Sequence, residues 1–89
     1  MKRVDQIYCV ALDYTDEFFG NECNQIIETQ NGEDYAKLVN DVQQKMIIDD
    51  KITADDICGI DFMEIREAVI KGVNDAIYMR QVLLNNDYK

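Results

Sequence analysis

Histidine, serine, proline and tryptophan do not occur in this chain of 89 residues. Without histidine, the chain lacks the commonest general base and the commonest metal ligand of proteins. Without serine, it has no serine nucleophile. Its four glycines stand apart from one another, so there is no glycine-rich loop of the kind that holds phosphates. We therefore predict a protein that binds a partner, catalyses no reaction and needs no cofactor.

Long hydrophobic runs are missing as well. The apolar run near the start, residues 7–12, is much shorter than the roughly 18 residues that cross a bilayer. It is not followed by the small-residue cleavage site of a signal peptide. The sequence predicts a soluble, cytoplasmic protein without a membrane partner.

Cysteine is scarce and shows no pairing pattern. Cys9, Cys23 and Cys58 are odd in number, widely spaced and form no CxxC motif. We expect three reduced cysteines that are buried as small apolar side chains. A nucleophilic cysteine would need a base and positive surroundings, but acidic residues flank both Cys9 and Cys58.

Carboxylates are abundant, but their spacing matches no metal or catalytic site. Residues 49–56 contain four aspartates, yet the pattern of an EF-hand loop fails at Lys51 and Thr53, and its turn glycine is missing. Adjacent acidic pairs arise readily in a chain with 18 Asp and Glu. We predict neither a bound metal nor catalysis by paired carboxylates.

The charge balance is the most informative bulk property. Eighteen acidic residues face nine basic ones, which gives a net charge of −9. Long-range repulsion disfavours direct binding to nucleic acid or to an anionic membrane, and it favours a basic protein partner. The alternative is that the acidity only keeps the protein dissolved.

The spacing of apolar residues predicts one acidic globular domain over residues 1–89, with an all-α fold. We expect a small bundle of three to four helices that ends in a long C-terminal helix, with helical segments at residues 4–19, 22–30, 33–46 and 62–84. Thr53 and Asp61 are predicted helix caps. Apolar positions of the last helix form a broad face: Phe62, Ile65, Val69, Val73, Ala76, Ile77, Leu83 and Leu84.

An α+β fold is the alternative. Residues 7–12 form a continuous apolar run of strand length, and residues 24–30 precede Asn31-Gly32, a pair typical of tight turns. If both segments are strands, the fold becomes an N-terminal β-hairpin followed by two helices.

The acidic residues are the candidate partner-binding site. Rows of carboxylates a few ångström apart imitate the phosphate spacing that basic nucleic-acid-binding grooves recognise. The predicted partner-binding residues are Asp13, Asp16, Glu17, Glu22, Asp49, Asp50, Asp55 and Asp56.

Two arginines form the alternative site. Arg80 falls near the centre of the apolar face of the last helix, and Arg66 lies beside that face. An unpaired cation in an apolar interface is costly. Arg80 either reaches water at the end of the core, or both arginines pair with acids across an oligomer interface or bind a phosphate.

These observations predict a non-enzymatic inhibitor that presents an acidic surface to a basic, nucleic-acid-binding partner. In size and composition the chain resembles the small inhibitors encoded by phages and mobile elements, including anti-CRISPR proteins, although no motif carries the likeness. The resemblance implies a role in counter-defence. One alternative is an oligomeric sponge that captures an anionic nucleotide through Arg66 and Arg80, and another is a structural or scaffold subunit.

Overall fold

Five α-helices make up most of residues 1–86, the part of the chain that a computed structural model describes. They are α1 (Arg3–Phe18), α2 (Gly20–Thr29), α3 (Gly32–Ile48), α4 (Ala54–Gly59) and α5 (Phe62–Asn86). Within residues 1–86 there is no strand, so the all-α prediction is confirmed and the β-hairpin alternative is wrong. The helix count exceeds the predicted three to four because the segment after Thr53, which is not among the predicted helical segments, forms the six-residue α4.

The apolar run at residues 7–12 is helical because its burial has a helical period. Ile7 and Ala11 are fully buried, whereas Cys9 between them is exposed. A strand would place all three side chains on the same face of a sheet. Residues four apart therefore share the core, as in a helix.

The Asn31-Gly32 pair marks a boundary between helices. Gln30 ends α2 in the left-handed conformation, with φ of 54°. The Asn31 side chain then accepts a hydrogen bond of 2.9 Å from the backbone N–H of Glu33, which caps the start of α3. A residue pair that resembles a hairpin turn therefore joins two helices.

Within residues 1–86, the most extensive helix–helix interface is between α1 and α5, which run parallel to each other. Ala11 of α1 lies against Gly72 of α5, and further along both helices Asp16 lies beside Arg80. A Cβ atom on Gly72 would lie 2.7 Å from the Cβ of Ala11. The absence of a side chain at Gly72 thus permits the close approach of the two helices.

The third helix runs antiparallel to α5. Near its start, Tyr35 donates a hydrogen bond to the Asn74 side chain, and later in α3 Gln43 accepts one from Arg66, which precedes Asn74 in α5. Helices α1, α3 and α5 enclose the core, and α2 packs against all three. The core residues of these four helices are Ile7, Ala11, Cys23, Ile26, Leu38, Val39, Val42, Met46, Ile65, Ala68, Val69 and Val73.

The C-terminal end of α5 extends beyond its neighbour α1. Helix α5 has 25 residues and is about 37 Å long at 1.5 Å per residue, whereas α1 has 16 residues. Asp16 is level with Arg80 and α1 ends two residues later, so the last turn of α5 has no continuation of α1 beside it. None of the helices in residues 1–86 is long and apolar enough to cross a membrane.

Only one of the three cysteines is buried as the sequence predicts. Cys23 is enclosed in the core, and burial raises the pKa of its thiol to about 11. Cys9 and Cys58 are exposed, because Cys9 lies on the solvent side of α1 and Cys58 on the exposed side of α4. The expectation of burial is therefore wrong for these two.

The difference in exposure predicts a stepwise thiol reaction. In the folded protein, a thiol-specific reagent at mildly alkaline pH should modify Cys9 and Cys58 quickly, because only a solvent-accessible thiolate reacts. Cys23 should react only after denaturation. Mass spectrometry of the native protein should find two labels per chain, and rapid addition of a third label would contradict the packing of α2.

Candidate functional site

Two exposed carboxylates lie on the solvent side of α1. The buried stripe of this helix consists of Ile7, Ala11 and Thr15. Asp13 and Glu17 are four residues apart, point away from that stripe and are exposed. Within residues 1–86, neither side chain makes a hydrogen bond or an ion pair.

Tyr14 joins this side of α1 to the loop after α3. Its hydroxyl donates a hydrogen bond of 3.0 Å to Asp49, whose carboxylate also lies 3.5 Å from the ammonium group of Lys45. Burial of the ring raises the pKa of the Tyr14 hydroxyl, the hydrogen bond to Asp49 raises it further, and the negative charges of Asp49 and Glu17 add to the effect. Asp49 is bonded to Tyr14, and Glu17 lies one helical turn after Tyr14 on α1.

We call Asp13, Glu17, Asp49 and Asp50 the acidic face. Asp50 is exposed and takes a left-handed backbone conformation, with φ of 60°, directly after Asp49. Asp49 is the only member with an ion-pair partner within residues 1–86. The hydrogen bond from Tyr14 to Asp49 joins the two elements that carry these carboxylates, which are more than thirty residues apart in sequence.

Three other predicted partner-binding residues lie elsewhere. Asp16 forms an ion pair of 3.0 Å with Arg80. Glu22 lines a groove between α2 and α3 together with Asp34. Asp55 is exposed on α4. The predicted carboxylates therefore do not form a single surface.

Asp56 is buried and has a structural role. Its carboxylate accepts two hydrogen bonds from the guanidinium of Arg3, at 2.8 and 2.9 Å, and one of 2.9 Å from the backbone N–H of Thr53. The Thr53 hydroxyl in turn accepts from the backbone N–H of Asp56, so the predicted capping box is confirmed. The hydrogen bonds from Arg3 hold the pKa of Asp56 well below its usual range, and those from Thr53 add to this. We correct its assignment and leave Asp56 out of the acidic face.

The two arginines of α5 are both occupied within the chain. Arg80 donates to the Asp16 carbonyl and carboxylate, at 3.3 and 3.0 Å, and lies over Gly20 at the end of the core. Arg66 donates to the side chains of Asn40 and Gln43, at 2.7 Å each. Fourteen helical residues separate the two arginines by about 21 Å along α5. A single copy therefore does not bring them to a common ligand.

The end of α5 carries an apolar surface that the sequence analysis missed. The helical spacing predicts Leu83 on the core-facing side, but Leu83 is 64% exposed because α1 ends before reaching it. Tyr78 and Met79 are 67% and 52% exposed, and Val82 is exposed as well. We call these four residues the α5 stripe. The predicted first helix is shorter than the predicted last one, but helix lengths alone do not show how α1 and α5 are aligned.

No metal site accompanies these surfaces within residues 1–86, where no cluster of three or more His, Cys, Asp or Glu has suitable positions. Comparison with protein-family models, curated proteins and solved structures finds no match to the chain. Its function must therefore be argued from its own residues.

Proposed function

We propose that the protein is a non-enzymatic, inhibitory binding protein whose acidic face occupies the basic groove of a nucleic-acid-binding partner. The observation that carries the proposal is that Tyr14, on the same helix as the exposed Asp13 and Glu17, bonds to Asp49 in the loop that also carries the exposed Asp50. The same proposal includes a cytosolic location. It also includes the role in phage counter-defence that the resemblance implies.

Charge supports this function in two ways. The surplus of nine negative charges attracts a basic protein over a range set by the Debye length, about 8 Å at physiological salt. At short range, carboxylates accept hydrogen bonds from Arg and Lys much as phosphate oxygens do. The partner would therefore lose its nucleic acid by direct competition for the same cations.

The carboxylates of the acidic face are held in position by α1 and by the Tyr14 hydroxyl. Asp13 and Glu17 are fixed four residues apart on one helix, and Asp49 is held by the hydroxyl of Tyr14. Preorganised charges lose less conformational freedom on binding than charges on a flexible tail.

The alternatives have less support. A nucleotide sponge would need Arg66 and Arg80 to release their present acceptors and to meet arginines of another copy. A scaffold subunit would not need charges grouped on one side of the bundle.

Competition with nucleic acid tests the proposal. A basic partner is first purified from a lysate on the immobilised protein, and its binding to a labelled DNA or RNA duplex is then measured with increasing amounts of the protein. The variant Asp13→Asn, Glu17→Gln, Asp50→Asn should need at least about tenfold more protein for half-inhibition, because it loses the charges that hold the groove.

The matched control removes the same number of charges elsewhere. Glu28→Gln, Glu64→Gln, Glu67→Gln alters three exposed acids outside the acidic face, and it should inhibit like the unaltered protein. If nucleic acid and protein bind the partner at the same time, or if both variants lose potency equally, the acidic face is not an inhibitory site.

A further inference from the structure

The last turns of α5 are more apolar than an exposed helix normally is. Six of the eight residues from position 77 to position 84 are hydrophobic, and the two polar ones are Arg80 and Gln81. A helix segment that is apolar around most of its circumference is usually buried. Yet Tyr78, Met79, Val82 and Leu83 are all exposed within the described chain.

The spacing within the α5 stripe fits another helix. Its members are separated by one, three and four residues, so the four side chains form two adjacent rows along one side of α5. Such rows make the ridges and grooves into which the side chains of a second helix insert. Exposed contiguous apolar surface of this kind marks interaction sites in soluble proteins.

The charges beside the stripe indicate what kind of helix it accepts. Asp75 lies three and four residues before Tyr78 and Met79 and therefore on their side of α5. Asp16 of the neighbouring α1 is level with Arg80 and neutralises that arginine. Within residues 1–86, Asp75 is therefore the acidic residue beside the stripe that has no ion-pair partner, and the nearby Arg80 is paired with Asp16.

A second copy of the chain is a poor occupant by the same argument. It would bring a net charge of −9 against another −9, which disfavours association. A helix with apolar side chains bordered by Lys and Arg would instead bury its apolar row on the stripe and meet the carboxylates with opposite charge.

We propose that the α5 stripe is a docking site for a basic amphipathic helix of the partner protein. The inference deepens the proposed function and rests on it, since both take the partner to be basic. The acidic face holds the partner's cationic groove, and the stripe supplies the apolar contact that slows dissociation. One surface on α1 and the loop after α3 and another at the end of α5 then contribute to one complex.

A synthetic helix tests the site directly. The probe is a labelled peptide of about five turns made of leucine and lysine at helical spacing, titrated with the whole protein and followed by fluorescence anisotropy. The double variant Met79→Gln, Leu83→Gln should weaken binding at least about tenfold, because it removes apolar surface from the centre of the stripe. A peptide with glutamate in place of lysine should bind at least about tenfold more weakly than the lysine peptide.

The chain provides a closely matched control. Met63 and Ile57 are exposed apolar residues at the other end of the bundle, and Met63, at 60% exposed, resembles Met79. The variant Ile57→Gln, Met63→Gln should bind the lysine peptide as the unaltered protein does. Equal loss in both double variants, equal binding of both peptides, or no binding of the lysine peptide would overturn the proposal.

Two further outcomes separate this inference from the proposed function. If the stripe variant binds the purified basic partner as the unaltered protein does, while the acidic-face variant binds it more weakly, the docking site is wrong and the proposed function stands. If the unaltered protein is a dimer in light scattering and the stripe variant is a monomer, the occupant is a second copy, which also overturns the proposal.

Discussion

Gly72→Ala should lower the stability of the protein by about 2 kcal/mol, the net of an overpacking cost of up to about 3 kcal/mol and a gain in helix propensity of about 1 kcal/mol. The added Cβ would lie 2.7 Å from the Cβ of Ala11, 2.8 Å from the carbonyl oxygen of Tyr8 and 2.9 Å from the amide nitrogen of Leu12. Two of these atoms belong to the backbone and cannot rotate away, so α1 and α5 must separate.

Thermal and urea unfolding followed by circular dichroism measure this effect. In a domain of this size the expected loss corresponds to a fall in Tm of about 8 to 16 °C. Gly32→Ala is the control, because no atom lies within 4 Å of an added Cβ at that position in the first turn of α3. The control should leave Tm unchanged or slightly higher. An unchanged Tm for Gly72→Ala would mean that the two helices are farther apart than described.

Asp56→Asn should destabilise the protein by about 2 to 3 kcal/mol at neutral pH. The substitution removes the charge that pairs with Arg3 and weakens the capping box at Thr53, and losing one partner of a pair in which only Asp56 is buried costs less than the several kcal/mol of a fully buried pair. The contact also ties α4 to the start of α1. Urea unfolding at neutral pH should therefore give a lower midpoint for the variant.

The same pair predicts how stability depends on pH. The pKa of Asp56 is lower in the folded protein than in the unfolded chain, where it is about 3.9. The ionised carboxylate therefore adds fully to the free energy of unfolding above about pH 3.9, and this stabilisation is lost as the pH falls through the lower folded pKa. The difference in unfolding free energy between the unaltered protein and Asp56→Asn should be constant near neutral pH and should narrow below about pH 4.

Asp55→Asn is the matched control for this experiment. The neighbouring Asp55 is exposed and makes no side-chain hydrogen bond within residues 1–86, so its substitution should change stability by less than about 0.5 kcal/mol. If Asp55→Asn and Asp56→Asn lowered the unfolding free energy equally, the description of the Arg3–Asp56 pair would be contradicted. It would also be contradicted if the difference in unfolding free energy between the unaltered protein and Asp56→Asn stayed the same in strong acid.

Local features were predictable from the sequence because their causes are local. Helices α3 and α5 follow from apolar residues at helical spacing, and the caps at Thr53 and Asp61 follow from side chains within a few residues of the groups they bind. The apolar run at residues 7–12 remained open because a short run fits both periods. Its helical form becomes clear only from the exposure of Cys9.

Features that depend on distant parts of the chain were not predictable. Arg3 and Asp56 are 53 residues apart, and nothing in either local sequence indicates that they meet. The parallel packing of α1 and α5 requires a small residue at Gly72, but an isolated glycine in a helical segment has several explanations. The same packing determines that Leu83 lies beyond the end of α1 and is exposed.

The salt dependence of affinity for the purified basic partner tests the role of the acidic face most directly. Between about 0.05 and 0.5 M salt, the Kd of the unaltered protein should rise at least about tenfold, because screening weakens attraction between exposed charges. The variant Asp13→Asn, Glu17→Gln, Asp50→Asn should bind more weakly with a shallower dependence, and the charge-matched control at Glu28, Glu64 and Glu67 should keep the steep one. A Kd that stays constant across this range in the unaltered protein would contradict the account.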